Sequence, residues 1–113
     1  MKAFNYEILE FFKPEEFVCP CCNSVKLEKE VLYKLFAMRI ILQRGIIVPS
    51  GYRCEKYNET IPSAHPNSQH IYGQAADIYI SGVAVERVVE VAGIVGFKRV
   101  YIMPDKGSVH CGL

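Results

Sequence analysis

The chain has 113 residues, half of them hydrophobic and 22% charged, which is the size and composition of one ordinary globular domain. Lys and Arg number 13 against 12 Asp and Glu, so the net charge is +1. This balance provides neither the positive field of a non-specific nucleic-acid binder nor a polybasic segment for an anionic membrane. The apolar runs are too short to span a bilayer. We therefore predict a single domain over residues 1–113, with no nucleic-acid partner and no membrane insertion.

Residues 1–16 do not resemble a secretory signal. Asn5, Glu7 and Glu10 interrupt the apolar stretch that such a signal needs, and no small-residue cleavage site follows. The sequence therefore predicts synthesis in the reducing cytoplasm without a signal peptide. The five cysteines are an odd number, so at least one thiol stays outside any intramolecular disulfide.

The first half of the chain predicts a long helix and a short strand. Apolar residues at three- and four-residue steps predict a helix over about residues 27–43, with Ser24 as its N-cap and Gly45 closing it. Its apolar face comprises Leu27, Val31, Leu35, Met38 and Leu42. A β-branched strand over residues 46–48 and a brief helical piece over residues 55–59 follow.

The second half predicts more strands and one more helix. Residues 75–80 form a strand candidate, and Ser81 can cap a helix over about residues 83–95. Two further short strands, over residues 99–103 and 108–111, are separated by a turn. Elements of both types with a hairpin at the end predict an α+β fold, a small antiparallel sheet with helices packed on one side.

Three residues of the second half can meet around a metal ion. His70 and Asp77 are separated by an odd number of positions, so in an unbroken strand they would point to opposite faces. Gly73 tolerates a positive φ and can bring His70 back to the side of Asp77, and His110 on a neighbouring strand can add a third group. Two imidazoles and a carboxylate leave one tetrahedral position of Zn²⁺ open for water, as in hydrolytic zinc sites. Spacing alone leaves open that His70 is only a capped loop residue.

The same stretch carries a family resemblance. The string SGYR at residues 50–53, Asn58, the pattern S-x-H-x-x-G-x-A-x-D at residues 68–77 and a late V-H pair resemble the M15 group of zinc D-Ala-D-Ala carboxypeptidases. The similarity extends from about residue 11 to the end and is greatest to the short, single-domain branch common in phages and prophages. It implies the fold that this group shares with the Hedgehog signalling domain.

The resemblance also implies an activity and its residues. His70, Asp77 and His110 would be the ligands of Zn²⁺, and the substrate would be the stem peptide of bacterial peptidoglycan, cut by a metal-activated water. Arg53 would hold the scissile carbonyl oxygen or the substrate's carboxylate, and Ser68 would contact substrate or buttress the site. The protein would act as a monomer on the cell wall, after lysis or as part of a phage particle.

Two departures from the family pattern concern catalysis. Active members carry an acidic general base three residues before the last ligand histidine, where this chain has Gly107. The short branch often has an Asp two residues after that histidine, where this chain has Gly112. Asp105 is then the nearest carboxylate and the predicted base, although it also suits an ordinary turn. The missing acids motivate an alternative function, a zinc-containing peptidoglycan-binding or phage structural module with little or no turnover.

Other interpretations stay open for Arg53 and the cysteines. Arg53 can instead form a salt bridge with a local acid such as Glu55. Cys19 and Cys22, with others such as Cys54, can hold a second, structural zinc, but a second C-x-x-C pair is missing. Buried thiols that pack the N-terminal coil onto the domain are therefore favoured. The remaining cysteines are Cys21, next to Cys22, and Cys111, which should point away from the metal.

Overall fold

The computed structural model describes residues 6–62, 64–105 and 107–113. Its sheet contains β1 (Ile47–Ser50), β2 (Ala75–Tyr79), β3 (Arg99–Ile102) and β4 (Val109–Gly112). All its pairings are antiparallel, in the order β1-β2-β4-β3. The helices are α1 (Tyr6–Leu9), α2 (Lys29–Leu42), α3 (Glu55–Glu59) and α4 (Val85–Ile94), and 3-10 turns occupy Pro14–Phe17 and Gln69–Tyr72. The predicted α+β class with an antiparallel sheet is confirmed.

One hydrophobic cluster joins the long helices to one face of the sheet. Leu35 and Met38 of α2 and Val88 and Val91 of α4 lie in it, together with Ile78 of the central strand β2. Because side chains alternate across a strand, the neighbours of core residues in β2 and β4 face the opposite side of the sheet. That side carries Asp77 and His110, and it is where the candidate site forms.

The predicted cap and terminator of α2 are wrong. The helix begins at Lys29 after the extended residue Glu28, whose N–H donates to the carbonyl of Gly73 at 2.8 Å. This bond anchors the helix start to the loop before β2, so Ser24 is not the cap. The helix ends at Leu42 and is closed by Gln43 rather than by Gly45, because Gln43 adopts φ 53° and donates its N–H to the carbonyl of Arg39.

The other boundaries lie within two residues of the predicted ones, and α3 has the predicted bounds. β1 continues through Pro49, which is tolerated because β1 is an edge strand with one neighbour. α4 starts after Ala84 rather than near Ser81. In the predicted turn between β3 and β4, Lys106 lies outside the described residues. No helix in the described part of the chain is long and apolar enough to cross a membrane.

Candidate metal centre

A short 3-10 turn positions His70. The turn spans Gln69–Tyr72, and the Ser68 hydroxyl accepts a hydrogen bond from the His70 N–H at 3.2 Å. Gly73 ends the turn with φ 68°. A Cβ at this position would lie 2.5 Å from the carbonyl oxygen of Lys26, so both conformation and space require glycine. The chain therefore reverses between His70 and β2, and the imidazole returns to the side of Asp77, as the sequence suggested.

Sheet register brings the other two residues together. Asp77 and His110 are direct partners on the antiparallel strands β2 and β4. The Asp77 Oδ1 atom lies 3.1 Å from His70 Nε2 and 3.1 Å from His110 Nδ1. All three side chains are buried, with at most 4% of each residue exposed. The structure thus brings together the three predicted metal ligands.

Hydrogen bonds on the far sides of the rings assign the protons of both histidines. His70 Nδ1 lies 2.7 Å from the carbonyl oxygen of Gly51, which can only accept, so Nδ1 carries the proton. Gln69 donates its Nε2–H to the carbonyl of Leu113 at 2.8 Å, and this bond turns its Oε1 toward His110 Nε2 at 3.1 Å. Nε2 of His110 therefore donates to Gln69. When the rings are neutral, each therefore directs an unprotonated nitrogen at the Asp77 carboxylate.

With both rings neutral, three lone-pair atoms face one another, an arrangement that suits a bound cation. Two nitrogens and one carboxylate oxygen are the donor set of a zinc ion with one open position. Ligand atoms at ~2.0–2.1 Å from a tetrahedral Zn²⁺ lie ~3.3 Å apart, close to the 3.1 Å separations from Asp77 Oδ1. The outer hydrogen bonds to Gly51 and Gln69 are the kind that orient metal-binding histidines. The residues present therefore fit the metal.

Asp77 is held in its charged form. Burial by itself would raise the pKa of this carboxyl, but hydrogen bonds and charge interactions with His110 and His70 outweigh it and hold the pKa below its ordinary value. The second carboxylate oxygen, Oδ2, lies 3.3 Å from the Arg53 guanidinium. The buried carboxylate is thus compensated on both sides.

Arg53 lies at the edge of this centre and is only 8% exposed. Besides Asp77, its guanidinium donates to Ser50 Oγ at 3.0 Å and to Asn58 Oδ1 at 3.4 Å. Its backbone N–H donates to the carbonyl of His70 at 3.2 Å, which ties the two site loops together. Among the described residues, the ion pair of Arg53 is with Asp77 rather than with Glu55.

An open cleft of about 490 Å³ gives access to the centre. Arg53, Ser68, His70 and His110 line it, so the predicted substrate-binding residues border the same space as two of the metal ligands. Tyr101 of β3 also lines the cleft and stacks on the His110 ring, with centroids 4.5 Å apart and planes 11° apart. This stacking fixes the ring plane of His110 in addition to its bond with Gln69.

Asp105 is not brought into the group of ligands. Its carboxylate accepts hydrogen bonds from the N–H of Gly107 at 2.9 Å and from the N–H and hydroxyl of Ser108 at 3.0 and 2.9 Å. These bonds, the Ser108 N–H above all, lower the pKa of this exposed carboxyl. Asp105 therefore organises the turn before β4 in this conformation, and its role as general base stays a prediction.

Gln69 is a site residue that sequence reasoning missed. A Cβ at Gly112 would lie 1.9 Å from Gln69 Oε1, so a carboxylate at position 112 and this Gln69 position exclude each other. Gln69 thus occupies the space next to His110 that a side chain at position 112 would need. Its position directly before His70 was the one signal in the sequence that Gln69 belongs to the site. Its hydrogen-bond partners, His110 and Leu113, are distant in the chain, so the sequence did not indicate its role.

We expect Gln69→Ala to weaken zinc binding by ~10–100-fold, because the proton and orientation of His110 lose their support. Competition against a chromogenic chelator measures the affinity. Gln74→Ala is the matched control, since its side chain takes no part in these hydrogen bonds, and it should leave the affinity unchanged. Equal affinities of the Gln69→Ala variant and the wild type would show that Gln69 does not support His110.

The fold and the donor set define an α+β domain with a buried His-Asp-His group that could hold a metal ion. A comparison with protein-family models matches residues 10–112 to peptidase M15. The chain therefore belongs to the peptidase M15 family, a family of zinc-dependent metallopeptidases, and the resemblance carried by the S-x-H-x-x-G-x-A-x-D pattern is confirmed. A search of curated proteins found no match.

Proposed function

We propose that this protein is a zinc-dependent peptidase that hydrolyses the stem peptides of peptidoglycan, as a D-Ala-D-Ala carboxypeptidase or an endopeptidase. The observation that carries the proposal is the convergence of one ring nitrogen each of His70 and His110 on the Asp77 carboxylate, beside an open cleft lined by Arg53. Membership of the M15 family supports the reaction class. The choice of peptidoglycan as substrate derives from the resemblance of the motif to the carboxypeptidases.

In this mechanism the side chains hold charge and orientation. When bound, zinc supplies a Lewis acid that makes water nucleophilic near neutral pH and polarises the scissile carbonyl. His70 and His110 present fixed lone pairs to the metal because Gly51 and Gln69 hold their outer protons. The Arg53 guanidinium has five N–H groups, and its hydrogen bonds to Ser50, Asn58 and Asp77 use three of them. In the proposal the remaining donors bind a substrate oxygen in the cleft that Arg53 lines.

Proton transfer is the step for which the described residues offer no carboxylate already free at the metal centre. In the proposal Asp105 takes the proton from the attacking water, and to do so its carboxylate must leave the Gly107 and Ser108 donors of its turn. General base catalysis contributes ~10²–10⁴-fold to such reactions. A chain in which the turn rarely opens would bind zinc and substrate normally but hydrolyse slowly.

Partner and place of action complete the proposal. We propose that the protein acts as a monomer. In the proposal it reaches the cell wall after lysis or on a phage particle. We propose no nucleic-acid partner, because the chain is almost neutral.

The decisive experiment is digestion of purified muropeptides by the zinc-loaded protein. We expect the wild type to release D-Ala or to separate cross-linked peptides, and we expect His70→Ala to release nothing because one of the metal ligands is gone. His65→Ala is the matched control, since His65 lines the same cleft but lies outside the ligand group. Mass spectrometry of the products identifies the bond. Intact muropeptides after incubation with zinc-loaded wild type would reject the peptidase.

A second candidate is a module that keeps zinc and binds peptidoglycan without turnover. Gly107 and Gly112 favour it, together with the turn bonds that hold Asp105. This candidate predicts retention on insoluble peptidoglycan with no soluble product, and rapid turnover would exclude it. A phage structural part would instead co-purify with virions.

A further inference from the structure

A second group of metal-binding side chains lies apart from the His-Asp-His centre. The sulfur atoms of Cys19, Cys22 and Cys54 all lie within 4.8 Å of one another. The Cys19 and Cys54 sulfurs are 3.6 Å apart. Cys19 is buried, Cys54 is partly buried and Cys22 is exposed. The peptidase chemistry described above uses none of them.

A tight turn in the N-terminal segment folds Cys22 back beside Cys19. The Cys19 N–H donates to the carbonyl of Ser24 at 2.8 Å, and the Asn23 N–H donates to the carbonyl of Cys19 at 2.8 Å. Asn23 adopts φ 57°, a conformation that asparagine tolerates better than most residues. Two cysteines separated by two residues on such a turn present both sulfurs to one side, as in C-x-x-C zinc sites.

Backbone N–H groups point at the sulfurs. The Cys54 N–H donates to Cys19 Sγ at 3.5 Å, and the Tyr57 N–H donates to Cys54 Sγ at 3.4 Å. Burial by itself would raise the pKa of the Cys19 thiol, but the N–H groups of Cys54, Cys22 and Cys21 lower it to about 7. The Tyr57 N–H would lower the pKa of Cys54, but burial and the neighbouring Cys19 outweigh it and raise that pKa. Cys19 is therefore the thiol of this pair that the N–H donors favour as a thiolate, the form that binds metals.

Packing and disulfide formation account for the group less well than a metal does. Burial raises the pKa of Cys111 to about 12, with a further contribution from the charge of Asp77, and this thiol lies in the hydrophobic core as an inert packing residue. Cys22 is exposed, so packing does not explain its place beside Cys19. The sulfurs of Cys19 and Cys54 are 3.6 Å apart, whereas a disulfide needs ~2.05 Å.

We propose that Cys19, Cys22 and Cys54 bind a second Zn²⁺ ion as three thiolates, with the fourth position facing solvent beside Cys22. Thiolate ligands select zinc among the common divalent ions. Binding displaces the three thiol protons into solvent, so the ion and its ligands carry one net negative charge. The site does not depend on the proposed peptidase activity.

The second ion would fasten the N-terminal segment to the loop that carries Arg53. Cys54 directly follows Arg53 in the chain. On the other side of Arg53, the Tyr52 N–H donates to the carbonyl of Phe17 at 2.9 Å. A Cβ at Gly51 would lie 2.6 Å from the Phe17 backbone, so the two segments are in close contact there. The carbonyl of Gly51 is the one that holds the His70 proton, so the thiolate site supports the loop on which the metal centre depends.

Metal content of the full-length protein, purified under reducing conditions with zinc, tests the proposal. We expect about two zinc ions per chain in the wild type and about one in Cys22→Ser, because a serine hydroxyl is a poor substitute for a thiolate ligand. Cys21→Ser is the matched control: Cys21 is equally exposed and adjacent but lies outside the group, and its variant should keep the wild-type content. Both substitutions change exposed side chains, so neither creates a cavity in the core.

Cobalt substitution separates the two sites without an activity measurement. We expect thiolate-to-cobalt charge-transfer absorption in the wild type and in the double variant His70→Ala/His110→Ala, and its loss in Cys22→Ser. A wild type that binds about one zinc ion and lacks this absorption overturns the thiolate site while leaving the peptidase proposal standing. Equal metal loss in Cys21→Ser and Cys22→Ser overturns the ligand assignment. A Cys19–Cys54 disulfide in the zinc-loaded protein, found by mass spectrometry, also overturns it.

Discussion

Replacement of Asp77 by Asn is expected to remove zinc from the His70–Asp77–His110 centre and to abolish peptide hydrolysis. The Oδ1 atom lies 3.1 Å from both ligand nitrogens, so it is the atom that the two histidines share. Asparagine keeps the shape of the side chain but loses its negative charge. Loss of this charge leaves the buried Arg53 guanidinium without its ion-pair partner. Removal of one member of a buried ion pair lowers the free energy of unfolding by ~3–5 kcal/mol.

Zinc content, muropeptide turnover and the free energy of unfolding of the metal-free protein measure these effects. Asp105→Asn is the matched control for metal binding, because its exposed carboxylate lies outside the ligand group, and it should keep the zinc. The same variant tests the general base: we expect kcat to fall by ~10²–10⁴ with zinc retained. An unchanged kcat would remove Asp105 from the mechanism. An Asp77→Asn protein with wild-type zinc and turnover would contradict the assigned metal centre.

Replacement of Arg53 by Lys is expected to lower kcat/KM by ~10²–10³, the loss found when a donor to a developing oxyanion is removed. Lysine keeps a positive charge near Asp77 but lacks the paired, fixed donors of the guanidinium. Arg99→Lys is the matched control, because Arg99 lines the same cleft but is exposed, and it should change kcat/KM little. Wild-type kinetics in Arg53→Lys would show that Arg53 does not contact substrate.

The kinetic constants of the Arg53→Lys variant also distinguish the two roles that the motif allows. If Arg53 binds the scissile carbonyl oxygen, kcat falls and KM changes little. If it binds the substrate's terminal carboxylate, KM rises, and the wild type should discriminate against peptides with an amidated C-terminus. Comparison of the kinetics on peptides with free and with amidated C-termini therefore distinguishes a carboxypeptidase from an endopeptidase and assigns the role of Arg53.

Local patterns predicted the elements of the fold well and their ends less well. α3 has its predicted bounds, and the α+β class followed from the alternation of helical and strand patterns. The start of α2 was misplaced because Glu28 bonds to Gly73, a residue far along the chain, instead of following the local signal of Ser24. A single sequence contains no trace of that contact, so propensity alone selected the wrong cap.

The candidate site also has one part that the sequence predicted and another that only the folded structure shows. The sequence by itself determined which side chains can bind the metal, since the motif names His70, Asp77 and His110 by residue type and spacing. It also indicated that Gly73 could permit a reversal, because glycine adopts a positive φ at little cost, but only the structure shows that the chain reverses there.

Tertiary structure alone decided the protonation and the surroundings of these ligands. The Gly51 carbonyl, the Gln69 amide and the Tyr101 ring come from three separate segments, and their contacts depend on how the sheet and loops pack. The same holds for Asp105, whose carboxylate the turn before β4 has already engaged. Hydrogen bonds between distant segments fix the position of a proton or a ring, and such bonds form only when the whole chain has folded.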